Sequence, residues 1–428
     1  MAGVKFEHKI AMLHKSSVFL LYLLFSIFFL GCSSPGSKLF GKKTPHEQYE
    51  KKIKDAGLQE TALGDAWFKA AAITLSNPLD IYLPYSESGY FANDRANAVG
   101  LRFSAKRGQK LKIALTKKPV QDFDMYVDLW QPSPPGESKH PKLLLAADTV
   151  NLLLEYTVKE DTVFIVRIQP ELLKEGEYTL TITAGPSLAF PISPKVKSNI
   201  GSFFGVGRDN GERKHEGIDI FAPFRSPAVA AAKGVVTRVN ENVLGGKVIF
   251  MRPEKADYNL YYAHLDSQLV SEGQHVNTGD VLGLTGNTGN AKFTASHLHF
   301  GIYTFTGAID PLNFVKAADK EPAKLNVALT NLNGWMRSKK NTRLYLSGSG
   351  SINNSLSLNE NTLILPEAGT GNLYRVILPD GKRGFIAASS ITSAMKPIKK
   401  LTIKKYSQCF QFLIQQACKK SNWWLVKR

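Results

Sequence analysis

The chain has few of the residues and segments that would indicate cysteine-based metal chemistry or a membrane-embedded fold. Only three of its 428 residues are cysteines, and they form no C-x-x-C motif, so a cysteine-ligated metal site is not expected. The one long apolar run covers residues 18–30 and is interrupted only by Ser26. It is too short to cross a bilayer comfortably. No second run of membrane-spanning length follows, so the rest of the chain is expected to be soluble.

Histidine is also scarce, but its distribution carries the main functional signal. Four of the nine histidines fall in three short phrases: H-E-G-I-D at 215–219, Y-A-H-L at 262–265 and S-H-L-H-F at 296–300. His297 and His299 are two residues apart and have apolar neighbours, which predicts that they share one face of a strand. His215 and Asp219 are four apart, which places them on one face of a helix or a strand, and Gly217 favours the strand.

This set of side chains has the composition of a catalytic zinc site. Two histidines and a carboxylate are a donor set that zinc hydrolases use, with one coordination position left open. Each histidine alone is better explained as an ordinary core or surface residue, but the full set predicts a metal site. The other histidines are assigned to surface positions, loops and processing or linker segments; they are His8, His14, His46, His140 and His275.

With these motifs, residues 200–314 resemble the lysostaphin/LytM-type (Gly-Gly endopeptidase-like) zinc metallopeptidases, which cut peptide bonds in bacterial peptidoglycan. The H-x-x-x-D and H-x-H motifs of that family are both present, and so are the surrounding phrases F-F-G at 203–205, G-Q-H-V at 273–276 and T-G-N-T-G at 285–289. The resemblance covers a little over a quarter of the chain. It implies that Zn²⁺ is bound by His215, Asp219 and His299, and that His264 and His297 are catalytic.

The same resemblance implies a reaction. A bound Zn²⁺ lowers the pKa of its water from 15.7 to about 7 and polarises the scissile carbonyl. One of His264 and His297 would handle the proton of that water and the other would steady the oxyanion; the sequence does not assign the two roles. Gly301 departs from the glutamate that many family members have after H-x-H-F. A non-catalytic wall-binding activator of other hydrolases is the alternative function, and a peptidase of proteins is a third.

The N-terminus predicts export. Residues 1–31 have a lysine-containing start and a short apolar core, as in a signal peptide. Gly31-Cys32 at its end resembles a bacterial lipobox, so Cys32 is expected to become the lipidated first residue; a non-lipidated signal peptide or an uncleaved anchor is the alternative. Residues 32–60 are expected to be a polar tether with room for a short helix near its end. The predicted location is the cell envelope, with a lipid anchor on the outer side of the cytoplasmic membrane or on the periplasmic side of the outer membrane.

The remaining segments complete a mainly β, multidomain architecture. Residues 61–188 contain short apolar strands separated by turns, which predicts a β-sandwich. This segment also resembles bacterial prepeptidase-type jelly-roll domains. Residues 189–318 are expected to be the peptidase domain with an antiparallel sheet. Residues 330–395 resemble a bacterial SH3-like domain, a small barrel with a tight turn at Asp380-Gly381. It is a candidate for binding wall peptides, or it packs on a neighbouring domain.

The formal net charge is +18, and it is unevenly distributed. The tail, 396–428, carries nine Lys or Arg and no acidic residue. A basic surface suits anionic envelope polymers or lipid headgroups. Nucleic acid is not expected as a partner, because an exported chain would rarely meet it. The aromatic residues of the tail fit a membrane-surface segment, a docked helix or a disordered end. Pairing of Cys409 with Cys418 cannot be decided from the sequence.

Overall fold

The computed structural model describes residues 43–134, 136, 140–208, 211–317 and 320–396. The expected signal peptide, Cys32, Cys409, Cys418 and nearly all of the basic tail lie outside these residues. The described chain is mainly β, as the sequence predicts. No described helix is long and apolar enough to span a membrane.

Two sheets form the N-terminal unit, and along several of their strands buried side chains alternate with more accessible ones. Strand β2 shows this alternation over its seven residues, from Tyr85 to Phe91. A five-stranded sheet in the order β1-β3-β8-β5-β6 packs against β2, β9, β4 and β7, and residues such as Leu101, Leu111 and Phe164 fill the core between them. The strands are β1 Leu79–Asp80, β2 Tyr85–Phe91, β3 Val99–Ala105, β4 Gln109–Lys118, β5 Met125–Gln131, β6 Lys142–Ala146, β7 Leu153–Thr157, β8 Thr162–Pro170 and β9 Gly176–Pro186.

Two helices, α1 (Pro45–Asp55) and α2 (Ala62–Ser76), pack on the five-stranded sheet. Thr44 begins α1 with a capping box that also uses Glu47. Trp67 of α2 is almost completely buried, and its Nε1 donates to the carbonyl oxygen of Pro170 at 3.0 Å. A short 3-10 helix, Leu58–Glu60, lies between the two helices.

The assignment of His46 to a linker segment is wrong. Its side chain is buried, its ring stacks on Trp67 with centroids 4.8 Å apart, and its Nε2 lies 2.7 Å from Oε1 of Gln169. The structure therefore differs from the predicted tether at 44–60, where the chain is helical and packed. The physical reason is the narrow apolar side of α1, where His46 and Ile53 are buried beneath an otherwise charged helix.

The middle of the chain forms a ten-stranded antiparallel sheet, as predicted for the peptidase region. The main path runs β10-β13-β20-β17-β16-β15-β18, while β19 pairs with β14 and β17, and β21 pairs with β20. Strands β11 and β12 form a separate ribbon, and a short helix α3 (Leu312–Val315) follows. The strands are β10 Asn199–Ser202, β11 Gly207–Arg208, β12 Arg213–Lys214, β13 Ile218–Phe221, β14 Pro227–Val229, β15 Gly234–Asn242, β16 Gly246–Pro253, β17 Tyr258–Gln268, β18 His275–Val276, β19 Val281–Thr285, β20 His297–Thr304 and β21 Gly307–Ile309.

Strand β20 shows how this sheet positions functional side chains. Leu298, Phe300 and Ile302 have no exposed area and belong to the core on one face of the sheet. Because side chains alternate along a strand, His297 and His299 project from the opposite face.

The C-terminal unit joins the N-terminal sandwich. Strand β25 pairs with β2, placing Gly369 opposite Ser88 and Ala368 opposite Gly89. The two units therefore share one eleven-stranded sheet, although the peptidase region separates them in sequence. The expected small barrel stays a prediction. The strands are β22 Met336–Ser338, β23 Arg343–Tyr345, β24 Ser355–Ser357, β25 Leu363–Thr370, β26 Leu373–Ile377, β27 Arg383–Ala387 and β28 Ile391–Ser393.

Candidate metal centre and cleft

The three predicted metal ligands meet on the face of the central sheet. Asp219 on β13 lies directly opposite His299 on β20, and His215 comes just before β13. The Nε2 of His215 is 3.0 Å from Oδ1 of Asp219 and 3.0 Å from Nδ1 of His299. The last pair, His299 Nδ1 and Asp219 Oδ1, is also 3.0 Å apart. Three donor atoms thus form a nearly equilateral triangle.

This triangle fits a small divalent ion. Tetrahedral zinc with bonds of about 2.0–2.1 Å has donors roughly 3.3 Å apart, close to the 3.0 Å separations seen here. Gly217 helps the ligands approach, because a Cβ at that position would lie 2.8 Å from Nε2 of His299 and 2.5 Å from the carbonyl oxygen of Phe300. The three residues therefore form a group that can hold a metal ion.

Hydrogen bonds from outside the triangle orient the ligands. Nδ1 of His215 lies 2.8 Å from the carbonyl oxygen of Phe203. A carbonyl only accepts, so this nitrogen donates and Nε2 points its lone pair at the centre of the triangle. An Nη2 of Arg208 donates to Oδ2 of Asp219 at 2.5 Å and to Oγ of Ser202 at 2.9 Å. Oδ2 of Asp219 is therefore bound to Arg208, and Oδ1 faces His215 and His299.

Electrostatics keep Asp219 and His299 in the protonation states that bind metals. Burial raises the pKa of the Asp219 carboxyl, but contacts with the ring nitrogens of His215 and His299 outweigh burial and hold that pKa well below its usual range. Burial also lowers the pKa of His299, more than the nearby carboxylate raises it. At neutral pH Asp219 is ionised and His299 is uncharged, as metal coordination requires.

The two predicted catalytic histidines stand beside the triangle. The rings of His264 and His297 have centroids 5.0 Å apart, and those of His264 and His299 are 5.8 Å apart. Nδ1 of His264 donates to the carbonyl oxygen of Thr288 at 2.9 Å, and Nδ1 of His297 to that of Ala295 at 2.8 Å. In the neutral tautomer that these bonds select, each Nε2 carries a lone pair.

The backbone and the burial of His264 are both unusual. Its φ of 61° lies in the left-handed region, which is uncommon for a residue other than glycine and costs conformational energy. Burial, followed by the charges of His299 and His297, lowers the pKa of His264 to about 4. The imidazole of His264 is thus uncharged at neutral pH.

All five predicted site residues line one cleft of about 680 Å³. The other described histidines lie elsewhere: His46 is buried on α1, His140 and His275 are exposed, and His275 lies in the two-residue strand β18. The sequence interpretation did not assign other cleft residues to the site, namely Arg208, Glu216, Phe250, Tyr261 and Tyr303. The two-residue period of β20 could have found Tyr303, because it shares a face with His299.

This part of the chain is similar to known proteins. Residues 213–311 match peptidase family M23. Lysostaphin of Staphylococcus simulans is 32% identical over 143 residues, which cover 32% of this chain and 28% of that protein. L-Ala--D-Glu endopeptidase of Bacillus subtilis (strain 168) is 33% identical over 144 residues, covering 31% and 44%. The uncharacterized lipoprotein YgeR of Escherichia coli (strain K12) is 36% identical over 108 residues, covering 25% and 42%. The match spans less than half the length of each relative.

Proposed function

We propose, from the premise that residues 213–311 form a peptidase family M23 domain, that this protein is a zinc-dependent endopeptidase that hydrolyses peptide bonds in peptidoglycan. The observation that carries the proposal is the convergence of His215, Asp219 and His299, with donor atoms 3.0 Å apart. His264 and His297 line the same cleft. The similarity to lysostaphin and to an L-Ala--D-Glu endopeptidase supports a wall peptide as substrate.

In this mechanism His215, Asp219 and His299 would hold Zn²⁺, which would supply a Lewis acid for activating water and polarising a carbonyl. The chain's own residues move the protons. The backbone carbonyls of Thr288 and Ala295 hold the rings so that each Nε2 can accept a proton. One of His264 and His297 takes the proton of the attacking water and returns it to the leaving amine. The other can donate a hydrogen bond to the oxyanion of the tetrahedral intermediate after its Nε2 takes up a proton from the solvent.

The decisive experiment is incubation of the purified, zinc-loaded protein with muropeptides, followed by mass spectrometry. New amine ends are expected, and the fragment masses identify the bond that is cut, whether a diaminopimelate cross-link or a glycine bridge. His299→Ala is the matched control and should produce none. If the wild type makes no new amine ends, the non-catalytic wall-binding activator is favoured. Cleavage of casein without cleavage of wall peptides would favour a peptidase of proteins.

We further propose that the protein works in the cell envelope, anchored by lipid on Cys32. The predicted signal peptide and the Gly31-Cys32 pair support this placement, as does similarity to a relative named as a lipoprotein. Cys32→Ser should release the protein to the soluble fraction or stall its processing, and labelled palmitate should enter only the wild type. Retention of Cys32→Ser in the membrane fraction, with no label in the wild type, would reject the anchor.

A further inference from the structure

The cleft continues from the metal centre along β20. Tyr303 lies on the same face as His299, with Gly301 between them. A Cβ at Gly301 would lie 2.9 Å from Cε2 of Tyr303 and 3.6 Å from Cβ of Tyr261, and also 3.3 Å from the carbonyl oxygen of Glu216. Because Gly301 has no side chain, the ring of Tyr303 lies close over its backbone, beside Tyr261 and Glu216.

Aromatic side chains line this end of the cleft. The ring centroids of Phe250 and Tyr261 are 4.6 Å apart, and Tyr261 meets Tyr303 edge-on at 5.7 Å. These residues form a small apolar cluster on the cleft face of the sheet, separate from the main core on the other face. Tyr303 is partly exposed and lines the cleft, so its ring is accessible to a substrate.

A single carboxylate stands at this end of the cleft. Glu216 is exposed and lines the cleft, and its Oε2 accepts a hydrogen bond from the Tyr303 hydroxyl at 3.1 Å. Within the described residues, Tyr303 is its one side-chain partner, and no Lys or Arg is ion-paired with it. Two arginines, Arg208 and Arg213, also line the cleft, and Arg208 is ion-paired with Asp219. The negative charge of Glu216 is therefore available to a ligand in the cleft.

We propose that Glu216 and Tyr303 form a subsite for a positively charged amine of the substrate. Ammonium groups bind to carboxylate oxygens and to the electron-rich faces of aromatic rings. Glu216 is adjacent to His215, and an extended peptide advances about 3.3 Å per residue, so the subsite serves a residue within one or two positions of the cut bond. This inference rests on the proposed endopeptidase function and adds a substrate class: wall peptides with a free ammonium beside that bond.

The test compares cross-linked muropeptides with the same muropeptides after their free amines have been acetylated. Acetylation removes the charge, so the wild type should show a kcat/KM about fivefold higher for the untreated peptides, mainly through KM, as expected for a partly exposed ion pair. Glu216→Gln should abolish this preference. Tyr303→Phe should weaken it, because the carboxylate loses its hydroxyl donor. Glu272→Gln makes the same charge change at an exposed position outside the cleft and should retain it.

Two outcomes overturn the subsite: equal kcat/KM values for the two substrates in the wild type, or an unchanged preference in Glu216→Gln. If the wild type cleaves neither substrate, the proposed function fails. The subsite can then be tested separately, by calorimetric measurement of the affinity of the full zinc-loaded chain for the two peptides. Tighter binding of the free-amine peptide that disappears in Glu216→Gln supports it, and equal affinities reject it.

Discussion

Arg375 on β26 is ion-paired with Glu87 on β2, which lies 288 residues earlier in the chain, with Nε and Oε2 3.0 Å apart. Both side chains are almost completely buried. The hydroxyls of Tyr85 and Tyr178 each donate to Glu87 at 2.7 Å, and Glu367 accepts from Arg375 at 2.5 Å. Every charge in this network has a partner, so it can stay buried where the C-terminal unit meets the sandwich.

Arg375→Met is expected to destabilise the folded protein strongly. The change leaves Glu87 buried without a cation, which typically costs about 3–5 kcal/mol. Chemical denaturation of the full chain measures the effect, and adding Glu87→Gln to this variant should recover part of the loss. Lys382→Met removes an exposed ion pair of the same unit and should leave the unfolding midpoint unchanged. A similar midpoint for Arg375→Met and Lys382→Met would show that the pair does not hold the two units together.

The five histidine and aspartate positions of the cleft should separate into two groups. Alanine at His215, Asp219 or His299 should lower bound zinc and turnover together, because each removes a donor of the triangle. Alanine at His264 or His297 should keep zinc and lower turnover about 10²–10⁴-fold, the usual contribution of a general acid or base. Elemental analysis and muropeptide cleavage supply the two measurements. Stoichiometric zinc in His299→Ala would contradict the ligand assignment.

Arg208 should act on the metal centre through Asp219. Because it takes up Oδ2 and leaves Oδ1 to face the histidines, Arg208→Met is expected to weaken zinc affinity about 10–100-fold, as is typical when a partner of a metal ligand is removed. Competition with a chromophoric chelator measures this affinity without relying on turnover. Arg252→Met, at an exposed position on β16, is the matched control. Equal zinc affinities in the two variants would show that Arg208 does not support the metal centre.

The candidate metal ligands could be identified in the sequence because their signals are local. His297 and His299 show the two-residue period of a strand, and H-x-x-x-D fixes the spacing of His215 and Asp219. The direct opposition of Asp219 and His299 depends on pairing between β13 and β20, which are separated by about 80 residues. Such a register is set by the assembled sheet and is not visible in either segment alone.

The buried charges and the buried histidine could not be predicted for a different reason. Glu, Arg and His are usually exposed or half-exposed residues, and their burial depends on partners far along the chain. Glu87 needs Arg375, and His46 needs Gln169 and Trp67. A polar segment with few apolar residues, such as α1, therefore looks like a tether until these partners are known.

The burial of His46 should make the stability of the N-terminal unit depend on pH. Burial, followed by the charge of Arg167, lowers the pKa of His46 to about 3, against 6.5 for an ordinary histidine. Between these values the unfolded chain binds a proton that the folded chain does not, so the free energy of unfolding falls as the pH drops from about 6.5 towards 3. The upper limit of this loss is about 5 kcal/mol. Above pH 6.5 His46 adds no pH dependence to the free energy of unfolding.

His46→Gln should flatten this dependence, because glutamine does not titrate. At pH 8 the variant should be less stable than the wild type, since stacking on Trp67 is lost, and the two stabilities should converge as the pH falls towards 4. Denaturant unfolding of the full chain at several pH values gives the comparison. His275→Gln removes an exposed histidine and should keep the wild-type slope. Parallel pH profiles for His46→Gln and the wild type would mean that His46 takes up its proton as readily in the folded protein as in the unfolded chain.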